Sequence, residues 1–295
     1  MTTTAGRKAE SRPDQGGSSS LAIRTTIDRG LIRSFLADDR IAHAHQLCEV
    51  EGAAFDLNRW VIALRDDELV AAVCEYAGRV PQPIAGFGDP DGVDAILREV
   101  VKPKAAYFLG TTELLPAVEA HYRVDSSPQV IRMWVDRAHF RPRPGPAQRL
   151  HAGDIAELNR LYGLGFTTWL PAGAIEDGVY YGIWIGSRLA AAAGTHALSE
   201  KAGLGVVGNV LTHSQFRGRG FATIATGAVT AELLRTCDTV VLNVRMDNPP
   251  AIQAYRRLGY QEHTRLEERL IHRLGGRPGF PDSLRRILPI GDRQR

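Results

Sequence analysis

The sequence predicts an α+β protein built in two units, and three observations carry that reading. The chain has 295 residues, about two domains at roughly 100–200 residues each. Apolar patterns of helical and of alternating period succeed one another along most of it. One stretch, Phe140-Arg141-Pro142-Arg143-Pro144-Gly145-Pro146, holds too many prolines for the interior of either element and divides the series.

Composition narrows the function classes. A hydrophobic share of 44% with 23% charged residues suits a folded chain with a core. No apolar run reaches the roughly 18 residues of a membrane span. Cys48, Cys74 and Cys237 stand in no zinc or disulfide spacing, so a reducing, cytoplasmic setting without a metal is expected. The formal charge of +3 is spread along the chain and gives no support to a nucleic-acid partner.

Residues 1–27 are expected to form a disordered leader, polar and rich in Ser, Thr and Gly at its start, with no apolar core of a secretion signal. Leu31, Ile32, Phe35 and Leu36, then the apolar positions within 41–47, predict two short helices split around Asp38-Asp39. A strand follows over 69–76, a Gly/Pro/Asp-rich turn over 81–92, a helix over 93–101, a strand over 105–109, a helix over 114–122 and a strand over 129–136. These make an N-terminal unit, 28–145. The C-terminal unit, 146–275, opens with a strand over 148–150 and a helix over 154–164 whose Ile155, Leu158 and Leu161 share a face. Strands are expected over 178–185, 188–198 and 204–212, the first two joined at Gly186-Ser187. A helix over 220–235, a strand over 239–245, a helix over 249–258 and a β segment from 260 complete it, and 276–295 reads as a tail. The helical segments 116–123 and 250–257 agree at a Pro, two Ala and a final Arg, an echo consistent with duplication.

The segment Val210-Leu211-Thr212-His213-Ser214-Gln215-Phe216-Arg217-Gly218-Arg219-Gly220-Phe221-Ala222 carries the strongest chemical signal. Its glycines let consecutive amides converge as an anion nest, and the helix that follows adds the positive end of its dipole. A phosphate or diphosphate is the expected ligand, with Arg217 and Arg219 adding charge. Thr223 stands where a dinucleotide fingerprint needs its third glycine, no acidic residue follows at the end of the next strand, and no Lys-Ser/Thr pair marks a Walker loop. What remains is R-x-x-G-x-A, at Arg217, Gly220 and Ala222.

With that pattern the sequence resembles the GNAT superfamily of acyl-CoA-dependent N-acyltransferases, whose cofactor loop reads Q/R-x-x-G-x-G/A between a strand and a helix. Asn248-Pro249-Pro250-Ala251-Ile252-Gln253-Ala254-Tyr255-Arg256-Arg257-Leu258-Gly259-Tyr260 is similar to its second signature, N-x-x-A-x-x-x-Y-x-x-x-G-F/Y. The likeness covers about residues 147–272. It implies a mixed, mostly antiparallel twisted sheet flanked by helices. It also implies acetyl-CoA held by Val210, Leu211, Thr212, Arg217, Gly218, Arg219, Gly220, Phe221, Ala222 and Asn248, and Tyr255 as the acid that protonates the departing thiolate. Taken alone, Tyr255 could equally be a core filler and Asn248 only a helix cap.

The expected reaction is acetyl transfer to the primary amine of a small molecule or peptide, with no nucleic-acid or membrane partner and with room for a homodimer. Histone-type members carry a glutamate eleven residues ahead of the loop, where this chain has Val206. The base is therefore open among His196, Glu267 and a water chain near Asn209. Trp169, Tyr180, Tyr181 and Trp184 form the pool for an acceptor pocket, with Tyr181 and His196 as the nominated substrate-binding pair. Adjacent strand residues face opposite sides, so only one of Tyr180 and Tyr181 can line it. The N-terminal unit lacks the loop, and its turn at 86–92 carries two aspartates where a phosphate would lie. It resembles the degenerate repeat of tandem GNAT proteins. The alternative reading is a regulatory module that binds acyl-CoA without turnover; a nucleotide-binding enzyme is a third.

Overall fold

The computed structural model describes residues 20–76, 81–164, 170–171 and 173–275. Its first half runs β1 (Leu21–Thr26), α1 (Arg29–Leu36), α2 (Ala44–Glu51), β2 (Arg59–Arg65), β3 (Glu68–Glu75), β4 (Gln82–Gly88), α3 (Pro90–Glu99), β5 (Ala105–Thr111), α4 (Leu115–Glu119), β6 (Tyr122–Val124) and β7 (Val130–Asp136). The second runs β8 (Ala147–Arg149), α5 (Ile155–Tyr162), α6 (Gly173–Glu176), β9 (Tyr181–Ile185), β10 (Arg188–Ser199), β11 (Leu204–Thr212), α7 (Phe221–Leu233), β12 (Thr239–Arg245), α8 (Pro249–Arg257) and β13 (Gln261–Arg273).

Three sequence expectations need correction. Residues 21–26 are not leader but β1, which pairs antiparallel with β2; its short Leu-Ala-Ile start is overshadowed by the polar residues ahead of it. β2 was not expected at all. It enters β3 through Asp66 and Asp67, both at positive φ (51° and 67°). This is a two-residue mirror-image turn made without glycine, and so without the usual hairpin signal. The segment 82–88 is a strand where a turn was expected. Gly86 is compatible with β4 because Phe108 and Leu114 press on that position, each within 3.3 Å of where a Cβ would be. The leader before residue 20, the tail 276–295 and Trp169 lie outside the described residues.

The strands form one mixed, mostly antiparallel sheet in the order β1-β2-β3-β4-β5-β13-β7-β12-β11-β10-β9-β8, with β6 added against β13. The parallel pairs are β4 with β5 and β11 with β12. Each belongs to a β-α-β-α-β series of the same order, so the Pro-containing helices of the echo, α4 and α8, occupy equivalent places. The final strands are exchanged. β7, from the first half, pairs with β12 of the second, and β13, from the second, pairs with β5 of the first. The proline stretch separates the halves along the chain, while the sheet interlocks them.

Packing divides the helices between two faces. On one, α3 and α4 cover Val61, Ile84 and Phe108, and α7 and α8 cover Met133, Val207 and Leu242. On the other, α5 and α6 cover Leu189 and Ala192, while α1 and α2 cover Trp60 and Ile62 of the first half together with Val206 and Val241 of the second. Alternation along β11 delivers Val206 and Val207 to opposite faces.

Candidate active site

β11 and β12 pair only from Leu204↔Thr239 to Val207↔Leu242 and then part. A bulge in β11 accompanies the parting. Its register with β10 steps from Leu211↔Ala192 to Gly208↔Gly194, and Asn209 stands at φ 51°. The inserted residue reverses the alternation, so that Val207 and Val210 both meet the cluster under α7 while Leu211 meets the one under α5. Beyond the bulge, His213 N donates to Ala190 O on β10 (2.9 Å). Alternation therefore turns the backbone groups of Thr212 and Val210 toward the opening and those of Leu211 away from it. The Thr212 Oγ1 is buried there without a hydrogen-bond partner.

The strand runs into a short 3₁₀ turn in which His213 Nδ1 accepts from Gln215 N (3.2 Å). Arg217 is extended, Gly218 has φ 76°, and Gly220, the N-cap of α7, has φ 77°. Left-handed backbone at both positions explains the two glycines. A Cβ at either would meet nothing within 4 Å, so the ground in front of the turn is open. Gly220 offers no side chain to cap the helix, and the first turn of α7 contains no acid. The amides of Phe221, Ala222 and Thr223 are thus left for a ligand, at the positive end of a 13-residue helix. Arg217 and Arg219 are exposed beside them, Arg219 with its guanidinium 5.5 Å from the Phe216 ring centre.

The equivalent turn of the first half is closed by its own side chain. Asp89 caps α3, accepting from Asp91 N and Gly92 N (2.8 and 3.2 Å), and pairs with Arg65 at 3.0 Å. Burial works to raise the Asp89 carboxyl, but Arg65 and those amides outweigh it and hold it below the usual carboxylate range. A carboxylate already sits where an anion would bind, in line with the sequence expectation that this half takes no CoA.

Asn248 caps α8, accepting from Ala251 N at 3.3 Å, with Pro249 opening the helix. Tyr255, one face along, is 7% exposed in the cluster that holds Val207, Ala225, Leu242 and Val244, the residues flanking the parting strands. Burial pushes its hydroxyl up to about 12. A phenol so placed keeps its proton at neutral pH and can give it to a better base.

On the opposite face, Asn209 gathers a polar network. Its Nδ2 donates to Tyr180 Oη (3.0 Å), its Oδ1 meets His196 Nε2 (3.0 Å), and its carbonyl accepts from Tyr162 Oη (2.5 Å). Of the two adjacent tyrosines it is Tyr180 that reaches this bulge; Tyr181 turns to α7 and donates to Glu232 Oε2 at 2.8 Å. Trp184 packs against the α5 cluster. Glu267 is committed to partners of its own. It is fully buried opposite Gly110 of β5 and takes hydrogen bonds from Thr112 Oγ1, Gln129 Nε2 and Arg269 Nε (3.1, 2.6 and 2.7 Å). The strand exchange explains this placement, and nothing in the local sequence announces it. Val206 is buried under α1 and α2.

Residues 180–270 match the family model described as FR47-like protein. No curated protein matches this sequence. Among solved structures, the chain is similar to a GCN5-related N-acetyltransferase from Sphaerobacter thermophilus, with 18% identity, a TM-score of 0.62 and coverage of 88% of this chain and 97% of that one. It is similar to a tandem GNAT protein from the clavulanic acid biosynthesis pathway at 11% identity and a TM-score of 0.55, covering 87% and 99%. A GCN5-related N-acetyltransferase from Kribbella flavida gives 19% identity and a TM-score of 0.52, covering 70% and 88%. The strand order, the two parallel pairs and these likenesses agree: the chain has the GNAT fold in tandem, with an FR47-like match in its second half.

Proposed function

We propose that the protein is an N-acetyltransferase that moves the acetyl group of acetyl-CoA to a primary amine by direct attack. The observation that carries this reading is the run of bare amides from Gly218 to Thr223, set at the mouth of a parted strand pair. The residues present fit the ligand: open ground before both glycines, two arginines, and an unpartnered Thr212 hydroxyl at the end of the parted strand. The amides and the helix end would hold the diphosphate, and Val210 and Thr212 the amide-bearing arm. Acetyl-CoA, when bound, supplies the thioester carbonyl.

Held against that carbonyl, an amine forms its N–C bond as the C–S bond breaks. Fixing the two reactants in this way is worth about 7–11 kcal/mol of barrier. Tyr255 gives its hydroxyl proton to the departing sulfur. No residue need be acylated. Cys237 is fully buried and burial raises its thiol, which keeps it from serving as a thiolate nucleophile. Among the described residues no helix is long and apolar enough to cross a membrane, and a cytoplasmic location belongs to this proposal.

A second reading has its own observation. Val206, 4% exposed, cannot take a proton where histone-type members keep a glutamate, so the site could serve a sensor that binds acyl-CoA without turnover. The test is thiol release from acetyl-CoA with a panel of amines, run beside calorimetry with CoA, ATP and NAD. Amine-dependent thiol release with CoA preferred supports the enzyme. Tight CoA binding without release on any amine favours the sensor, and ATP or NAD binding as tight as CoA would overturn both.

A further inference from the structure

Direct attack needs a neutral amine, yet an alkylammonium of ordinary pKa near 10 is only about one part in a thousand neutral at pH 7. A base beside the acceptor is therefore worth having, and neither Val206 nor Glu267 can supply it. The tandem arrangement brings another group to the same face of the sheet. There β11 is covered at its start by α2 of the first half, through Leu204 and Val206, and beyond the bulge by α5 of its own half, through Leu211. Between the two helices the floor is His196, Gly208 and Asn209. Gly208 is needed for this floor: a Cβ there would come within 2.5 Å of the His196 ring, which lies directly over it.

From α2, His45 faces that floor. Its ring centre is 6.3 Å from that of His196, tilted by 49°. Its Nε2 is 3.4 Å from Glu49 Oε1, one turn further along the helix, and the two side chains are 34% and 19% exposed. The second Glu49 oxygen, Oε2, is turned into the interior on the side of Tyr76, away from solvent. Among the described residues, the titratable groups around His45 and Glu49 include Cys48 on the same helix, His196 on β10, Cys74 on β3 and, behind Glu49, Tyr76, whose hydroxyl also receives Gln46 Nε2 at 3.1 Å. Imidazole is the one side chain that ordinarily titrates near neutral pH.

We propose that the acceptor amine enters between α2 and α5 and that His45, oriented by Glu49, is its general base, so that the first half completes the site of the second. The inference rests on the acetyltransferase reading. In the balanced step the substrate ammonium first gives one proton to His45, which passes it to solvent; the neutral amine nitrogen then bonds the acetyl carbon as the C–S bond breaks, its second proton passes to His45 and the Tyr255 proton passes to sulfur. Solvent then returns both residues to their starting states. His196, fixed by Asn209, lines the same floor.

The test uses the full chain and an amine it turns over. His45→Gln should lower kcat/KM about a hundredfold at pH 7, leave the acetyl-CoA Kd unchanged, and abolish the acidic inflection of the pH profile. The deficit should shrink toward pH 10 as the amine neutralises itself. Added imidazole should restore part of the activity of His45→Ala, which a merely structural role would not allow. Glu49→Gln, which leaves the imidazole in place but weakens the contact that orients it, should lower kcat/KM by a smaller factor than His45→Gln, with the acetyl-CoA Kd unchanged. Should both His45 variants retain the wild-type profile, or should the inflection vanish in His196→Gln and persist in them, the assignment is overturned while the acetyltransferase reading stands. No thiol release from the wild-type chain with any amine would overturn both.

Discussion

Replacing Tyr255 with Phe separates chemistry from packing because the ring and the hydroxyl do different jobs. The ring fills the cluster beneath α7 and lies 6.0 Å from that of Tyr260; Phe keeps that volume, so stability should change by less than about 1 kcal/mol. Burial is what raises the Tyr255 hydroxyl to about 12. If that proton goes to the departing sulfur, its loss should lower kcat by about 10²-fold or more, or some 3 kcal/mol of barrier. Acetyl-CoA affinity should hardly move. Tyr260→Phe is the matched control. It is equally buried, but its hydroxyl is paired with Thr230 Oγ1 at 2.8 Å, and Thr230 also donates to Thr226 O. Loss of that bond should cost about 1 kcal/mol and lower Tm by roughly 2–4 °C, with kcat unchanged. The assays are initial rates of thiol release at saturating acetyl-CoA, with calorimetry and thermal melts alongside. An equal kcat for Tyr255→Phe and wild type, under conditions where chemistry limits the rate, would falsify the acid role.

Three further outcomes test the remaining parts of the site. Arg217→Glu should weaken CoA binding, with an effect that shrinks as salt is raised because the side chain is exposed; calorimetry at two ionic strengths reads it. Gly220→Val should cost about 1–2 kcal/mol from left-handed strain alone and, by filling the open ground before the turn, should abolish the rise in Tm that CoA gives to the wild-type chain. Glu267→Gln should leave Arg269 uncompensated in the interior and destabilise the fold by about 3 kcal/mol. It should spare CoA affinity, because Glu267 belongs to the first half's strand junction; a large loss of CoA binding in a folded Glu267→Gln protein would contradict that separation.

Local chemistry was legible in the sequence where it is local in the fold. The two glycines of the turn, the Asn248 cap and the extent of β12 follow from backbone preferences of a few consecutive residues, and the structure repeats them. The acid that closes the first half's site was legible for the same reason, since Asp89 lies in the helix cap itself, although most of the stretch read as turn ahead of it is β4. What could not be read depends on partners far along the chain. The Asp66-Asp67 hairpin lacks the glycine that normally marks such a turn. Glu267 looks like an acid on a strand near the catalytic signatures, yet the exchange of β7 and β13 buries it against Thr112 and Gln129. His45 and His196, 6.3 Å apart across the two halves, carry no sequence pattern that joins them.

The exchange also makes a claim about folding. β13 lies between β5 and β7, and β7 lies between β13 and β12. A fragment ending in the proline stretch would keep β7 but lose the strand that covers β5, exposing the edge at Ala105–Thr111. The complementary fragment would keep β13 but lose the strand that covers β12, which is apolar on both faces at Val240, Val241 and Leu242. Unpaired, half-apolar edges of this kind favour aggregation over independent folding. Fragments 1–145 and 146–295 should therefore be insoluble when made separately and should reassemble into a CoA-binding complex when made together. A monomeric, cooperatively melting 146–295 that binds CoA as tightly as the whole chain would show that the second half can close its sheet with its own last strand, as a free-standing unit, and that the interlock is not a condition of its site.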